Sequence, residues 1–434
     1  MTTATLAAIV LIGGFIALML MRVPVSFAML LSTLGCALVT GTNFSVLVRQ
    51  MVDGVNNFSL LSIPFFILMG EIMGAGGISD KIIDLANLAV GRFRGGLAYV
   101  NCLSSMFFGG ISGSAVADVS SLGSVVIPMM KQQGYTEDFS VGLTVTTACQ
   151  GVLIPPSHNM VIYALAAGGV SIGTLFMAGL LPGIALGCGM IIMCMMMAKR
   201  YNFPKGEGVA KGEGIKVLLR GILPMMTLII IMVGTGAGVF TATEASAIAC
   251  VYTMFLSMVV FRSVKLRDVG GILKNSLKTL AIVMTLLATA KAFAYMMTEL
   301  RIPSAISSGL LSITDNKYIL LLIINVLLLL LGCFMDMGVL IFVSTPILYP
   351  LAVGTLGMNP YHFGVVLVFG FAIGLCTPPV GTSLFLGCKI GKISVESSLK
   401  AFIPFYLIML MLLFVFAYVP EVSLCLPRWL GLTV

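Results

Sequence analysis

The chain has 434 residues, 59% of them hydrophobic and 9% charged, with a formal net charge of +8. So few charges cannot cover the surface of a soluble globule of this size, which excludes a soluble enzyme and places the chain in a lipid bilayer. The basic excess is then expected to orient the chain in the membrane, not to bind nucleic acid.

The first apolar run, Leu6 to Met21, lacks a basic lead and a small-residue cleavage site, and Arg22 passes straight into a second run. It is expected to be a retained helix and not a signal peptide. At about 20 residues per span, the pattern predicts helices over 5–21, 24–41, 56–78, 173–198, 221–240, 244–261, 279–299 and 401–419. Four further segments, 95–130, 138–165, 319–350 and 361–388, are too rich in Gly or too broken by Pro for plain spans. Let 95–130 and 319–350 be re-entrant hairpins while 138–165 and 361–388 cross as broken helices. Nineteen of the 24 Lys and Arg then fall on the cytoplasmic side, only Arg49, Arg301, Lys317 and Arg428 fall outside, and Lys291 lies within a span. This is the positive-inside signature, and it puts both termini on the side away from the cytoplasm.

The chain also reads as if written twice. Pro128 and Pro350 lie 222 residues apart, as do Pro182 and Pro404, and the segments Gly151 to Asn159 and Gly374 to Thr382 each carry a Pro-Pro pair at matching places. With the basic linker Lys199 to Arg220 inverting the second half, the expected fold is an all-α polytopic membrane protein built as an inverted-topology repeat. Interrupted helices in paired positions are the pattern of a secondary transporter's binding site.

The chemistry follows from proline. Pro155 and Pro156 cannot donate to the carbonyls of Gly151 and Val152, nor Pro378 and Pro379 to those of Gly374 and Leu375. Carbonyls freed at membrane depth must be buried in protein or line a polar cavity, where they suit a hard cation such as sodium. The glycine-rich turn Phe108 to Asp118 and the matching turn Gly332 to Gly338 are expected to supply facing halves of these sites, with backbone N–H groups able to receive a carboxylate. Asp336 stands alone in apolar sequence and is a functional candidate, with helix capping as its structural alternative.

Other residues read more plainly. His158, Ser157 and Asp118 have no nucleophile elbow around them, so a hydrolase is not expected. Lys291 is expected to pair with Glu299 or Glu71, or to line the substrate path, and Glu244 to cap a helix. Cys36, Cys149, Cys188, Cys250, Cys333 and Cys388 lack any metal-ligand spacing, and like the thirty methionines they read as apolar packing.

The motifs FFGGISGSAVAD (Phe107 to Asp118) with Ile127-Pro128, GVLIPPS (Gly151 to Ser157), TATEASA (Thr241 to Ala247) and TPPVGT (Thr377 to Thr382) resemble the large membrane subunit of the tripartite ATP-independent periplasmic (TRAP) transporters, and the resemblance covers essentially the whole chain. It implies sodium-driven import of an organic acid by an elevator mechanism. It also implies a small four-helix membrane subunit, here a separate chain, and a soluble periplasmic substrate-binding protein. The scaffold would comprise 1–92 and 199–312, the transport domain 93–198 and 313–420, and 421–434 a tail. By position it assigns Ser112, Gly113 and Ser114 with the stretch Gly151, Val152 and Pro155 to one sodium site, and Asp336 and Gly338 with Gly374, Leu375 and Thr377 to a second, with Ser105 and Thr382 as additions. Substrate contacts are expected from Ser112, Ser157 and Asp336. Because Asp336 repels a bare dianion, a hydroxyl-rich acid, sialic acid first, is expected ahead of C4-dicarboxylates. A self-sufficient sodium/dicarboxylate symporter and a non-transporting membrane assembly component are the alternatives.

Overall fold

The computed structural model describes residues 3–206, 208–209 and 212–434. Every named element among them is helical. In chain order they are α1 (Thr3–Leu20), α2 (Val25–Thr40), α3 (Phe44–Val55), α4 (Phe58–Ala75) and α5 (Ile78–Val90). Next come α6 (Gly96–Ser112), α7 (Ala115–Gln132), α8 (Glu137–Thr147), α9 (Gln150–Leu153), α10 (His158–Ala167) and α11 (Ile172–Arg200). The second half holds α12 (Gly214–Gly236), α13 (Ala242–Val260), α14 (Leu266–Glu299), α15 (Ile302–Ile313), α16 (Lys317–Gly332) and α17 (Met337–Thr355). It ends with α18 (Pro360–Leu375), α19 (Thr382–Gly391), α20 (Val395–Tyr418) and α21 (Glu421–Trp429). Among the described residues, eight helices are long and apolar enough to cross a membrane.

The expected spans are all helical, but hydropathy marks what sits in lipid and not where a helix ends. The span expected at 279–299 is the outer part of α14, which starts at Leu266 and runs 34 residues. Its charged first half, with Arg267, Asp268, Lys274 and Lys278, was expected as connector, yet Lys and Arg are good helix formers. Short α3, α5, α15 and α21 were likewise expected as connectors or tail, since none carries a 20-residue apolar run. Asn43 starts α3 by accepting from the Ser45 amide at 2.9 Å, and Asn57 starts α4 through the Ser59 amide. Glu244 has the capping role expected of it: it accepts from the Thr241 amide at 2.8 Å while the Thr241 hydroxyl accepts from the Glu244 amide. Glu244→Ala should therefore lower the melting temperature slightly in a detergent melt, since it removes one half of an exposed capping box.

The two halves keep register. Helices α3 and α14 begin 222 residues apart, and so do α7 and α17. At the centre lie α8 and α18, buried on every side: residues 139–157 and 362–376 contain no exposed position. Helix α18 is apolar nearly all round, as a helix in a protein interior is; α20 packs on α8, α16 packs on α18, and α10 packs on α17 around this pair. Outside them α14 packs against α2, α3 and α4, and α13 against α4.

Eight of the ten cysteines are buried, consistent with packing roles, although Cys188 faces outward. Lys291 makes no ion pair among the described residues, so the expected pairing with Glu299 or Glu71 does not form. Its flank lies against Gly54 of α3 instead.

Candidate functional site

Each break between helices is met by the tip of a hairpin, through a glycine on both sides. In the first half α6 closes at Ser112, Gly113 takes a left-handed φ of 64°, and Ser114 opens α7 by accepting from the Ala117 amide. That turn sits on the segment between α9 and α10. A Cβ on Gly109 would meet the Gly151 amide nitrogen at 2.8 Å, and one on Gly113 would meet the Pro156 carbonyl oxygen at 2.6 Å. Only residues without side chains let two backbones approach this closely. The Pro155 carbonyl faces Gly110 in the same way. The Ile154 amide turns back to Gln150, and Pro155 and Pro156 have no N–H, so no local amide reaches the Gly151 carbonyl.

The second half repeats the contact. A Cβ on Gly332 would meet the Gly374 Cα at 2.9 Å, and the Cys333 carbonyl accepts from the amides of both Val380 and Gly381 at 3.2 Å. Both Pro-Pro bonds, Pro155-Pro156 and Pro378-Pro379, are cis. Here one expectation fails: the Gly374 carbonyl is not free, because the Thr377 amide closes a tight turn onto it at 2.9 Å just before Pro378. The Thr377 hydroxyl is also spent, on the Ile373 carbonyl at 2.8 Å, and the Cys376 carbonyl accepts from the Tyr406 hydroxyl.

The two tips face one cavity of about 660 Å³ against α4 and α14. It gathers Ser112 and Ser114 from the first tip, Asp336 and Gly338 from the second, and Leu375 from the break. Asp336 faces the cavity and also caps α17, accepting from the Gly338 amide at 2.9 Å, so the capping alternative is realised. Ser157 does not line it. Fully buried, it accepts from the Met160 amide as the N-cap of α10, and the two residues after it, His158 and Asn159, face the cavity in its place. A start one residue later turns the neighbouring side chains onto that face.

Several polar residues of the site were not anticipated. Glu71 of α4 and Asn275 and Thr279 of α14 line the cavity. Glu71 carried a signal, as a carboxylate inside a span, whereas Asn275 fell in sequence read as connector and Thr279 at the first residue of an expected span. Asp118, in the first turn of α7, is 1% exposed and neither of its carboxylate oxygens accepts a hydrogen bond. It faces Ser105, whose hydroxyl donates instead to Thr147 at 3.3 Å. A buried carboxylate without donors is costly unless a cation or proton meets it. The Thr382 hydroxyl is likewise buried without a partner. Neither Ser105 nor Thr382 lines the cavity at the tips, and Val152 is packed at 0% exposure beside Gly151. Among the described residues no three His, Cys, Asp or Glu side chains cluster, so the donors here are carbonyls, hydroxyls and single carboxylates, a set suited to hard cations.

Comparison with known proteins matches residues 12–422 to the model of the DctM component of the tripartite ATP-independent periplasmic transporters. The chain is 40% identical to the uncharacterized protein YgiK of Salmonella typhimurium, over 96% of this chain and 97% of that one. It is 36% identical to the C4-dicarboxylate TRAP transporter large permease protein DctM of Pseudomonas aeruginosa, over 88% and 90%. It is 34% identical to the sialic acid TRAP transporter large permease protein SiaM of Vibrio cholerae, over 96% and 97%. In fold it is similar to the YdaH transporter of Alcanivorax borkumensis, with a TM-score of 0.62, 13% identity and coverage of 89% and 88%.

Proposed function

The chain belongs to the DctM family of TRAP transporters, multi-pass membrane permeases and not enzymes, and from that premise we propose that it imports an organic acid across a bacterial inner membrane, driven by sodium. The observation that carries this reading is the paired docking of two hairpin tips onto two helix breaks around one cavity. The tips and breaks form the moving body, and α4 and α14 belong to the scaffold it moves against. Both termini lie in the periplasm. A small four-helix membrane subunit and a soluble periplasmic binding protein complete the transporter.

The first sodium site draws on Ser112, Gly113 and Ser114, the Gly151 and Val152 carbonyls, Pro155 and Ser105, with Asp118 as the added anionic donor. Its fit rests on the unpartnered Asp118 carboxylate. The second draws on Asp336, Gly338, Leu375 and Thr382. The closed turn at Gly374 and the spent hydroxyl of Thr377 weigh against those two. In transport these residues hold sodium at the tips, and the amides at the starts of α7 and α17 offer donors to the substrate carboxylate.

The cavity is lined by the carboxylates of Glu71 and Asp336 and by no Lys or Arg. A second carboxylate on the substrate would add repulsion there, while hydroxyl groups would find acceptors in Glu71, Asp336, Asn159 and Asn275. A sugar acid fits this lining better than a bare dicarboxylate, and sialic acid is the one expected first.

The test is uptake of radiolabelled sialic acid into proteoliposomes carrying the chain and its small partner, with and without an inward sodium gradient and the soluble binding protein. Uptake requiring both is the expected result. Uptake of succinate alone would change the substrate, uptake without the soluble protein would favour an independent symporter, and silence toward every acid would end the transport reading.

A further inference from the structure

Helix α14 runs unbroken along the seam between the site and its surroundings, and it meets two cavities in turn. Its stretch from Ile272 to Leu286 lines the cavity at the hairpin tips. Further along, the exposed Lys291 lines, with Ala294, a second cavity of about 80 Å³, which has the exposed Asp53 and Asn57 on one side and Leu165 of α10 and Phe342 of α17 on the other. Lys291 is the one cation of α14 beyond Lys278. Gly54 makes room for it, since a Cβ there would meet the Lys291 Cβ at 2.7 Å. Asp53 lines the same cavity, yet Lys291 forms no ion pair among the described residues. An ionised residue inside a span is costly, and those present characteristically line ion or substrate paths.

We propose that Lys291 receives the carboxylate of the transported acid at the far end of this seam, in the state where the hairpin tips have moved away from the Ile272 to Leu286 end. The inference rests on the transport reading above. The cavity at the tips offers the acid no fixed cation, so along α14 beyond Lys278 the substrate's negative charge has one, Lys291. From Thr279 to Lys291 the rise of an α-helix covers roughly 18 Å, enough to separate two stations on opposite sides of the membrane's middle. Asp53 lines the same cavity, and repulsion from its carboxylate limits how tightly the acid is held and lets it pass on.

The experiment measures uptake kinetics in proteoliposomes with the complete transporter, using radiolabelled sialic acid or succinate, whichever the wild-type protein takes up. Lys291→Gln should raise KM for external substrate about tenfold or more while the rate at saturation stays within about twofold. Lys291→Arg should restore most of the difference, and Asp53→Asn should lower KM by removing the repulsion from its carboxylate. A detergent melt establishes that each variant is folded. Wild-type KM in Lys291→Gln overturns the inference. So does rescue of Lys291→Gln by adding Asp53→Asn, because the lysine would then be only a counter-ion for Asp53. If the wild-type protein takes up no acid, the transport reading itself has failed and this inference falls with it.

Discussion

Asp336→Asn is expected to cut uptake by about 100-fold or more while the protein remains folded and inserted. The substitution separates two roles that one side chain performs. As the N-cap of α17, Asp336 accepts from the Gly338 amide at 2.9 Å, and Asn is as good a cap as Asp, so the turn survives. What disappears is the charge facing the cavity. Asp336 is exposed to the cavity and would become a desolvated partner with its ligand bound; loss of one partner from such a contact costs about 2–5 kcal/mol, and at 1.4 kcal/mol per tenfold the middle of that range is a factor of several hundred. A melt unchanged within error beside lost sodium-driven uptake is the expected pair of results. Near-normal uptake would remove Asp336 from the site and leave it a cap alone. Ser112→Ala, at the opposite tip, should follow the same pattern if its hydroxyl is a ligand.

The second large effect should come from one added methyl group at either break. A Cβ on Gly374 would meet the Gly332 carbonyl oxygen at 2.9 Å, and one on Gly151 would meet the carbonyl carbon of Gly109 at 3.2 Å, each with the partner's Cα closer still. The neighbour in each case is backbone, which cannot step aside as a flexible side chain does. Overpacking costs about 1–3 kcal/mol even where side chains can adjust, so Gly151→Ala and Gly374→Ala should each reach or exceed that upper figure and push the hairpin tip off its break. Uptake should fall to background in both variants, with a visible drop in melting temperature. By contrast Gly270→Ala, where a Cβ meets nothing within 4 Å, should be silent or slightly stabilising, since Ala is the better helix former. An innocuous Gly374→Ala would mean that the tip and break of the second half are not held together as this structure has them.

Much of this architecture was legible because its causes are local. A proline removes its own N–H wherever it stands, so the interruptions at Pro155 and Pro378 could be read directly. An apolar run of about 20 residues must be covered by lipid or protein, so every expected span is helical. Asp336 was legible for the same reason, as a lone carboxylate in apolar surroundings. Ser157 shows where local reading stops: its hydroxyl points back to the Met160 amide, while His158, set aside as a failed catalytic residue, faces the cavity. Which of two adjacent residues faces a site depends on the residue at which a helix begins and on how that helix is rotated, and neither is written in composition or spacing.

The sequence by itself determined the membrane setting, the helical spans, the two paired breaks and their glycine-rich counterparts, because these follow from hydropathy and from the covalent limits of Pro and Gly. Only the tertiary structure decided that Gly109 meets Gly151 and Gly332 meets Gly374, that the Gly374 carbonyl is already satisfied, that Asp118 is buried without a donor, and that Lys291 lies against Gly54 and lines a cavity with Asp53. Each of these is a relation between residues distant in the chain, fixed by how whole helices pack. The competition among packing partners is settled by the shape of the complete molecule and not by any segment of it.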